Sequence, residues 1–169
     1  MITLAALKRR LERLRRQHPA PRVVLANGLF DPLHVGHVRY LRGARRFGDL
    51  LIVAINDDRS ARLLRGPGRP LVPARDRARL VAAIEGVDVV VPFSGPTVAP
   101  VLEMLRPEIH CKGTDYTPAT VPERDVVRRY GGCVRIAGDR KRHASTDLIA
   151  RLRRPVRSRR RPGGKKRGA

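Results

Sequence analysis

Between Val23 and Phe47 the chain changes its hydrophobic period once, from an unbroken apolar run to helical spacing, across a glycine. Val23-Val24-Leu25-Ala26 shows no alternation and begins with β-branched residues, the pattern of a strand buried on both faces of a parallel sheet. Asn27-Gly28 breaks the run. Beyond Asp31-Pro32, Val35, Val38, Leu41 and Ala44 fall at helical spacing, which starts a helix near His34. Strand, glycine turn and helix N-terminus in succession leave unpaired backbone N–H groups and the positive end of a dipole at the turn, a seat suited to phosphate. His34 and His37 lie three apart and share one face of the first helical turn. Gly36 between them lets a ligand approach the backbone. In outline this is a nucleoside triphosphate site. A zinc site is the weaker reading, because no Cys or carboxylate stands at a supporting spacing.

The rest of the chain repeats the same alternation. Apolar runs at 50–55, 87–91, 108–111 and 133–136 read as strands, and helical patterns fall at 59–64, 74–85, 98–105, 121–130 and 146–152. The expected fold is α/β: a Rossmann-like, doubly wound parallel sheet with helices on both faces. The helix at 74–85 is expected to bury Leu80, Val81 and Ile84. The Gly/Pro-rich stretch Arg65 to Pro70 reads as a loop able to close over substrate. Ahead of the domain, Leu4, Leu7, Leu11 and Leu14 form one stripe among basic residues, a helix to dock on its own domain or on a dimer mate. The domain plan is a helix and linker over 1–20, a domain over 21–153 and a basic tail over 154–169 expected to be disordered.

Net charge is +22 with a pI near 11.7, which brings nucleic acid into consideration. Aromatics make up only 4% of residues, too few for extensive base stacking, so nucleic-acid binding through the tail is not the favoured reading. The two cysteines, Cys111 and Cys133, fit no C-x-x-C pattern and read as small hydrophobes in a reducing compartment. No membrane-length apolar run or signal-peptide core appears, and a cytoplasmic location is expected.

The motif Gly28-x-Phe30-Asp31-x-x-His34-x-Gly36-His37 resembles the signature of nucleotidyltransferases with an H-x-G-H sequence, especially the cytidylyltransferase-like branch. The resemblance implies that His34 and His37 hold the triphosphate and stabilise charge as the α-phosphate is attacked, with Asn27, Gly28, Leu29, Phe30 and Gly36 contacting the nucleotide. Four later stretches resemble the adenylyltransferase domain of ADP-heptose synthesis. They are Gly68-Arg69-Pro70-x-x-Pro73-x-x-x-Arg77, Val87-Asp88-x-Val90-Val91-x-Phe93, Lys112-Gly113-x-Asp115-Tyr116 and Ala144-Ser145-Thr146. The likeness runs from about Pro21 to Arg153.

That likeness implies transfer of AMP from ATP to D-glycero-β-D-manno-heptose 1-phosphate, with Mg²⁺ carried on the ATP phosphates, a homodimer, and a separate sugar kinase in the same pathway. Lys112 joins the histidines as a catalytic residue. Arg140, Ser145 and Thr146 are expected at the nucleotide phosphates, although Asp147 replaces the family's usual second Thr. Asp31, Asp57, Arg77, Asp115 and Tyr116 are expected at the acceptor, with Asp31 and Asp57 suited to hydroxyls or magnesium. The nearest enzyme alternative uses CTP and glycerol 3-phosphate or a similar polyol or aminoalcohol phosphate. The alternative of another class is a basic nucleic-acid-binding module, against which the intact His34-x-Gly36-His37 argues.

Overall fold

The computed structural model describes residues 2–139 of the 169. The expected helix at 146–152, the tail at 154–169, and Arg140, Ser145 and Thr146 lie outside the described residues. Five strands, β1 (Val23–Gly28), β2 (Leu50–Asn56), β3 (Val89–Phe93), β4 (Ile109–Gly113) and β5 (Cys133–Ala137), form one parallel sheet in the order β3-β2-β1-β4-β5. The helices are α1 (Leu4–Leu14), α2 (Val35–Arg45), α3 (Asp58–Arg65), α4 (Ala74–Ala82), α5 (Ala99–Leu105) and α6 (Arg124–Arg129). The first three strands step outward from β1 in one direction, and the chain then crosses back to place β4 on the other side of β1. The C-terminal ends of β1 and β4 therefore flank the point where the connections diverge, the crevice in which such sheets bind ligands.

The missing alternation in the strands follows from burial on both sides. Val23 and Leu25 enter a core shared with α1, α5 and α6, whereas Val24 and Ala26 enter a second core shared with α2 and α4. Successive residues of β1 meet opposite cores, so every position favours an apolar side chain. The turn into β2 is equally constrained: a Cβ on Gly48 would lie 2.5 Å from the Arg22 carbonyl oxygen, a contact no larger residue fits without moving backbone.

Three expectations about faces and ends change. Leu80 is 48% exposed, and α4 instead buries Arg77, Ala78 and Val81. The reason is a charged residue in the buried stripe: Arg77 finds partners inside, which rotates Leu80 outward. Val35 is likewise exposed, and α2 buries Tyr40, Leu41 and Ala44. Strand β3 starts two residues later than read, because the Asp88 carboxylate accepts the Leu51 N–H at 2.7 Å and so belongs to the neighbouring strand's entry.

Helix α1 packs on its own chain. Leu7 and Leu11 are fully buried in the core that contains Val101, Leu102 and Leu105 of α5. Just past its end, Arg15 donates to the Leu105 carbonyl at 2.9 Å and pairs with Glu108 at 3.4 Å. Among the described residues, no helix is long and apolar enough to cross a membrane. With both central leucines inside the domain, Leu7→Ala should destabilise it by about 2–5 kcal/mol, the usual cost of truncating a core leucine. Denaturant unfolding checks this: a loss confined to low protein concentration would instead assign the stripe to a contact between copies.

Candidate active site

The turn after β1 does not use its glycine as the sequence suggested. The left-handed backbone position is Phe30, with φ +53°, and Gly28 ends the strand. Gly28 is needed for a different reason: a Cβ there would approach the Phe30 ring to 3.1 Å. Phe30 is 1% exposed and meets His37 edge-on with ring centroids 5.1 Å apart. The turn is thus packed from beneath, and its aromatic side chain fixes one of the two histidines.

His34 is the N-cap of α2 in extended conformation, and its Nδ1 accepts the Gly36 N–H at 3.1 Å. His37 returns the contact, its Nδ1 accepting the His34 N–H at 3.3 Å. The pair forms a capping box with imidazoles in place of the usual hydroxyl and carboxamide or carboxylate. The rings stack at 3.9 Å. In a neutral imidazole whose Nδ1 accepts, the proton sits on Nε2. Burial, reinforced by the neighbouring His34, lowers the His37 pKa to about 4, so this ring is neutral at pH 7. The helix start therefore offers a neutral N–H donor where two backbone donors have already been satisfied.

A cavity of about 550 Å³ opens at the ends of β1 and β4. It gathers Asn27, Gly28, Leu29, Phe30, Asp31, His34, Gly36, His37, Lys112, Asp115 and Tyr116 into one wall. Lys112, 9% exposed, donates to Asn27 Oδ1 at 3.2 Å, lies 3.8 Å from Glu123 Oε2 and sits over the Tyr116 ring at 4.9 Å. Burial lowers its pKa and Glu123 opposes that shift. Beneath it, fully buried His110 contacts the same Asn27 oxygen through Nε2 at 3.2 Å, and burial together with Lys112 lowers its pKa to about 3. Lys112 cannot approach an amide NH₂ in this way, so its ammonium fixes the Asn27 oxygen inward and makes His110 Nε2 the donor.

Three expected acceptor residues are otherwise engaged. Both Asp31 carboxylate oxygens face the Gly/Pro-rich loop: they accept N–H groups of Leu71 and Val72 at 2.9 Å and the Arg69 guanidinium at 2.7 Å. Asp31 lines the cavity but anchors this loop to the turn. Asp57 is outside the cavity wall; it caps α3 through Ser60 N–H at 2.7 Å and accepts the Ser94 hydroxyl. Arg77 is also outside the wall and completely buried. Its guanidinium donates to the carbonyls of Leu29 at 2.6 Å and Val72 at 2.8 Å and to Asp58 at 2.9 Å. These bonds tie α4 to the loop and to the turn, a positioning role in place of the expected phosphate contact.

His110, Glu123 and Arg39 also belong to this region, and the sequence reading passed over them. The available signal for His110 was parity: it lies two residues before Lys112 on one strand and so on the same face. Arg39 lines the cavity beside Asp139, with which it pairs at 3.3 Å. Nothing in the sequence aims Glu123 at Lys112, because α6 and β4 meet only in the fold. Among the described residues, no group of three His, Cys, Asp or Glu side chains is placed to hold a metal ion.

The cytidylyltransferase-like family model matches residues 25–156, which include every element of this site. The chain belongs to the cytidylyltransferase-like family. Among curated proteins it is 47% identical over 130 residues to the bifunctional protein HldE of Syntrophotalea carbinolica, covering 77% of this chain and 26% of that one. To the HldE of Geotalea uraniireducens it is 46% identical over 132 residues, covering 78% and 27%. The chain thus spans about a quarter of the length of these relatives. Among solved structures, the lipopolysaccharide core biosynthesis protein of Thermoplasma volcanium aligns with a TM-score of 0.57 and 26% identity, over 69% of this chain and 93% of that one. The pantoate-beta-alanine ligase of Francisella tularensis, at 15% identity and a TM-score of 0.58 over 88% of this chain and 76% of that one, shares the fold. This cytidylyltransferase-like chain is a nucleotidyltransferase by family, with the Rossmann-like sheet that its sequence pattern implies.

Two predictions follow from the buried groups. Between pH 6.5 and about 4 the unfolded chain protonates His37 while the folded chain does not, and His110 extends that window to about 3. Stability should therefore fall as pH drops through this range, by about 1.4 kcal/mol per pH unit for each histidine, read from denaturant unfolding at stepped pH. Arg77→Ala leaves two carbonyls and Asp58 without their donor and should cost about 3 kcal/mol or more in the same measurement. A stable Arg77→Ala protein with weakened substrate binding would return Arg77 to the acceptor site.

Proposed function

We propose that this chain transfers AMP from ATP to a sugar 1-phosphate, with D-glycero-β-D-manno-heptose 1-phosphate as the acceptor, giving ADP-heptose and pyrophosphate. The observation that carries the reading is the His34–His37 capping box at the start of α2, with Lys112 lining the same cavity. A phosphate oxygen of the acceptor attacks the α-phosphorus of ATP in line; the new P–O bond forms as the bond to the bridging oxygen breaks, and pyrophosphate departs with that electron pair. No protein nucleophile is needed. The work is positioning and stabilisation of charge on the equatorial and leaving oxygens. The imidazole Nε2–H groups suit the triphosphate, the Lys112 ammonium suits the oxygens that gain charge, and Asp115 and Tyr116 suit the acceptor.

Mg²⁺ fits this site only as a passenger on the nucleotide. Asp31 is occupied by loop 69–72, Glu123 by Lys112 and Thr97, and Asp139 by Arg39. Bound through phosphate oxygens, the ion would offset their charge and retain most of its water ligands.

The acceptor assignment draws support from the HldE relatives, which are bifunctional and of which this chain matches about a quarter. The Lys112-Gly113-Thr114-Asp115-Tyr116 sequence supports it further. On this reading a sugar kinase supplies the 1-phosphate, the enzyme works as a homodimer, and the location is the cytoplasm, where ATP is at hand.

The test is pyrophosphate release with ATP or CTP, crossed against heptose 1-phosphate and glycerol 3-phosphate in the presence of Mg²⁺. Release with ATP and the heptose phosphate alone is expected; release with CTP and glycerol 3-phosphate would replace the assignment. His34→Ala and His37→Ala should each lower kcat by about 10²–10³-fold, on the scale of a lost electrostatic donor. Near-normal turnover in both variants would remove the histidines from the mechanism.

A further inference from the structure

Lys112 is an unusual cation for a protein surface cleft, because its side chain is almost entirely out of water. A buried ammonium without an opposite charge gives up its proton sooner than it bears the cost of desolvation. Three groups surround this one: the Asn27 amide oxygen at 3.2 Å, the Tyr116 ring face at 4.9 Å and the Glu123 carboxylate at 3.8 Å. The amide and the ring supply partial charges. Only the carboxylate supplies a full one.

Glu123 is itself firmly held. It is 6% exposed, its Oε1 accepts the Thr97 hydroxyl at 3.2 Å, and its carbonyl accepts the Val127 N–H at 3.0 Å. Its second oxygen, Oε2, is buried without a hydrogen bond and faces Lys112 at a distance too long for one. That geometry is informative. A closer pair would take up a second of the ammonium's three N–H groups, the first being directed at Asn27. Here the carboxylate contributes charge while leaving N–H groups of Lys112 for an incoming oxygen. Both residues line the cavity.

From this arrangement we propose that Glu123 is a positioning residue that acts through Lys112, holding its ammonium charged and turned toward the reacting phosphates. The inference rests on the nucleotidyl-transfer reading for its catalytic consequence, but the coupling between the two side chains can be tested without any substrate. The titratable groups that face Lys112 are Glu123 from the N-terminus of α6, Tyr116 from the loop after β4 and His110 from its own strand. His110 carries no negative charge in either form, and Glu123 is the carboxylate of the three, so its effect is separable.

The experiment compares wild type, Glu123→Asp and Glu123→Gln. Carbon-13 at Cε of the lysines follows the titration of Lys112, with Lys112→Arg identifying its signal, and the pH dependence of pyrophosphate release is measured alongside. Removing the carboxylate charge lets burial act unopposed, so the Lys112 titration should move down by about 1–3 pH units in Glu123→Gln, with Glu123→Asp in between. The alkaline limb of kcat should move down with it. Above that limb each unit of movement costs about tenfold in the charged fraction. KM for ATP should change far less than kcat. If Glu123→Gln does not fold, the smaller downward movement in Glu123→Asp decides the matter. A Lys112 titration identical in wild type and folded variants would overturn the proposal, as would an unmoved alkaline limb with full kcat. Absence of pyrophosphate release for every substrate pair would instead overturn the functional reading, and the Lys112 titration would still rule on Glu123.

Discussion

The site depends on two imidazoles doing the work of a helix cap. An α-helix starts with unpaired N–H groups, and most chains satisfy some of them with a small side chain. Here His34 and His37 satisfy the N–H groups of Gly36 and of His34 itself, and these bonds orient both rings. The same bonds place the acceptor nitrogen of each ring on the backbone, so the ring proton sits on Nε2. Structure and chemistry are therefore one arrangement: the interaction that begins α2 also sets the tautomer. Phe30 extends this by closing the space beneath His37, and Gly28 leaves room for Phe30.

The charged residues divide into those that face the cavity and those that build it. Asp31 and Arg77 hold the loop at 69–72, the turn after β1 and the start of α4 against one another through seven hydrogen bonds in all. Lys112 and Glu123 pair in the lining of the same cavity, and Asn27 joins Lys112 to the turn after β1. Positive charge in the cavity is thus fixed in place by buried negative partners. This limits the loss of side-chain freedom when substrate binds.

Much of the fold was legible because the strands are buried on both faces and the periods of strand and helix differ. The histidine turn was legible for the same reason, since strand, turn and cap are contiguous. Long-range partners were not. Arg77 is expected at the acceptor from its motif, and only the fold brings Leu29, Val72 and Asp58 around it. Asp31 looked open to a hydroxyl, yet loop 69–72 returns to it across about forty residues. Glu123 carries no local pattern at all, and His110 only its parity with Lys112. Each acquires its meaning from β4 lying beside β1.

That last adjacency also orders the assembly of the molecule. β1 can pair with β2, and β2 with β3, as soon as residue 93 has been made, and both cap bonds of the histidines lie within residues 34–37. The β4 strand begins at Ile109, and α1, although first in sequence, buries Leu7 and Leu11 against α5. Contacts between residues so far apart form late, because closing a long chain segment costs entropy before the contact repays it. A chain made from its N-terminus therefore carries the histidine turn while its first helix still lacks its packing against α5. The arrival of β4 then brings Lys112 to Asn27 of β1 and into the same cavity as the histidines.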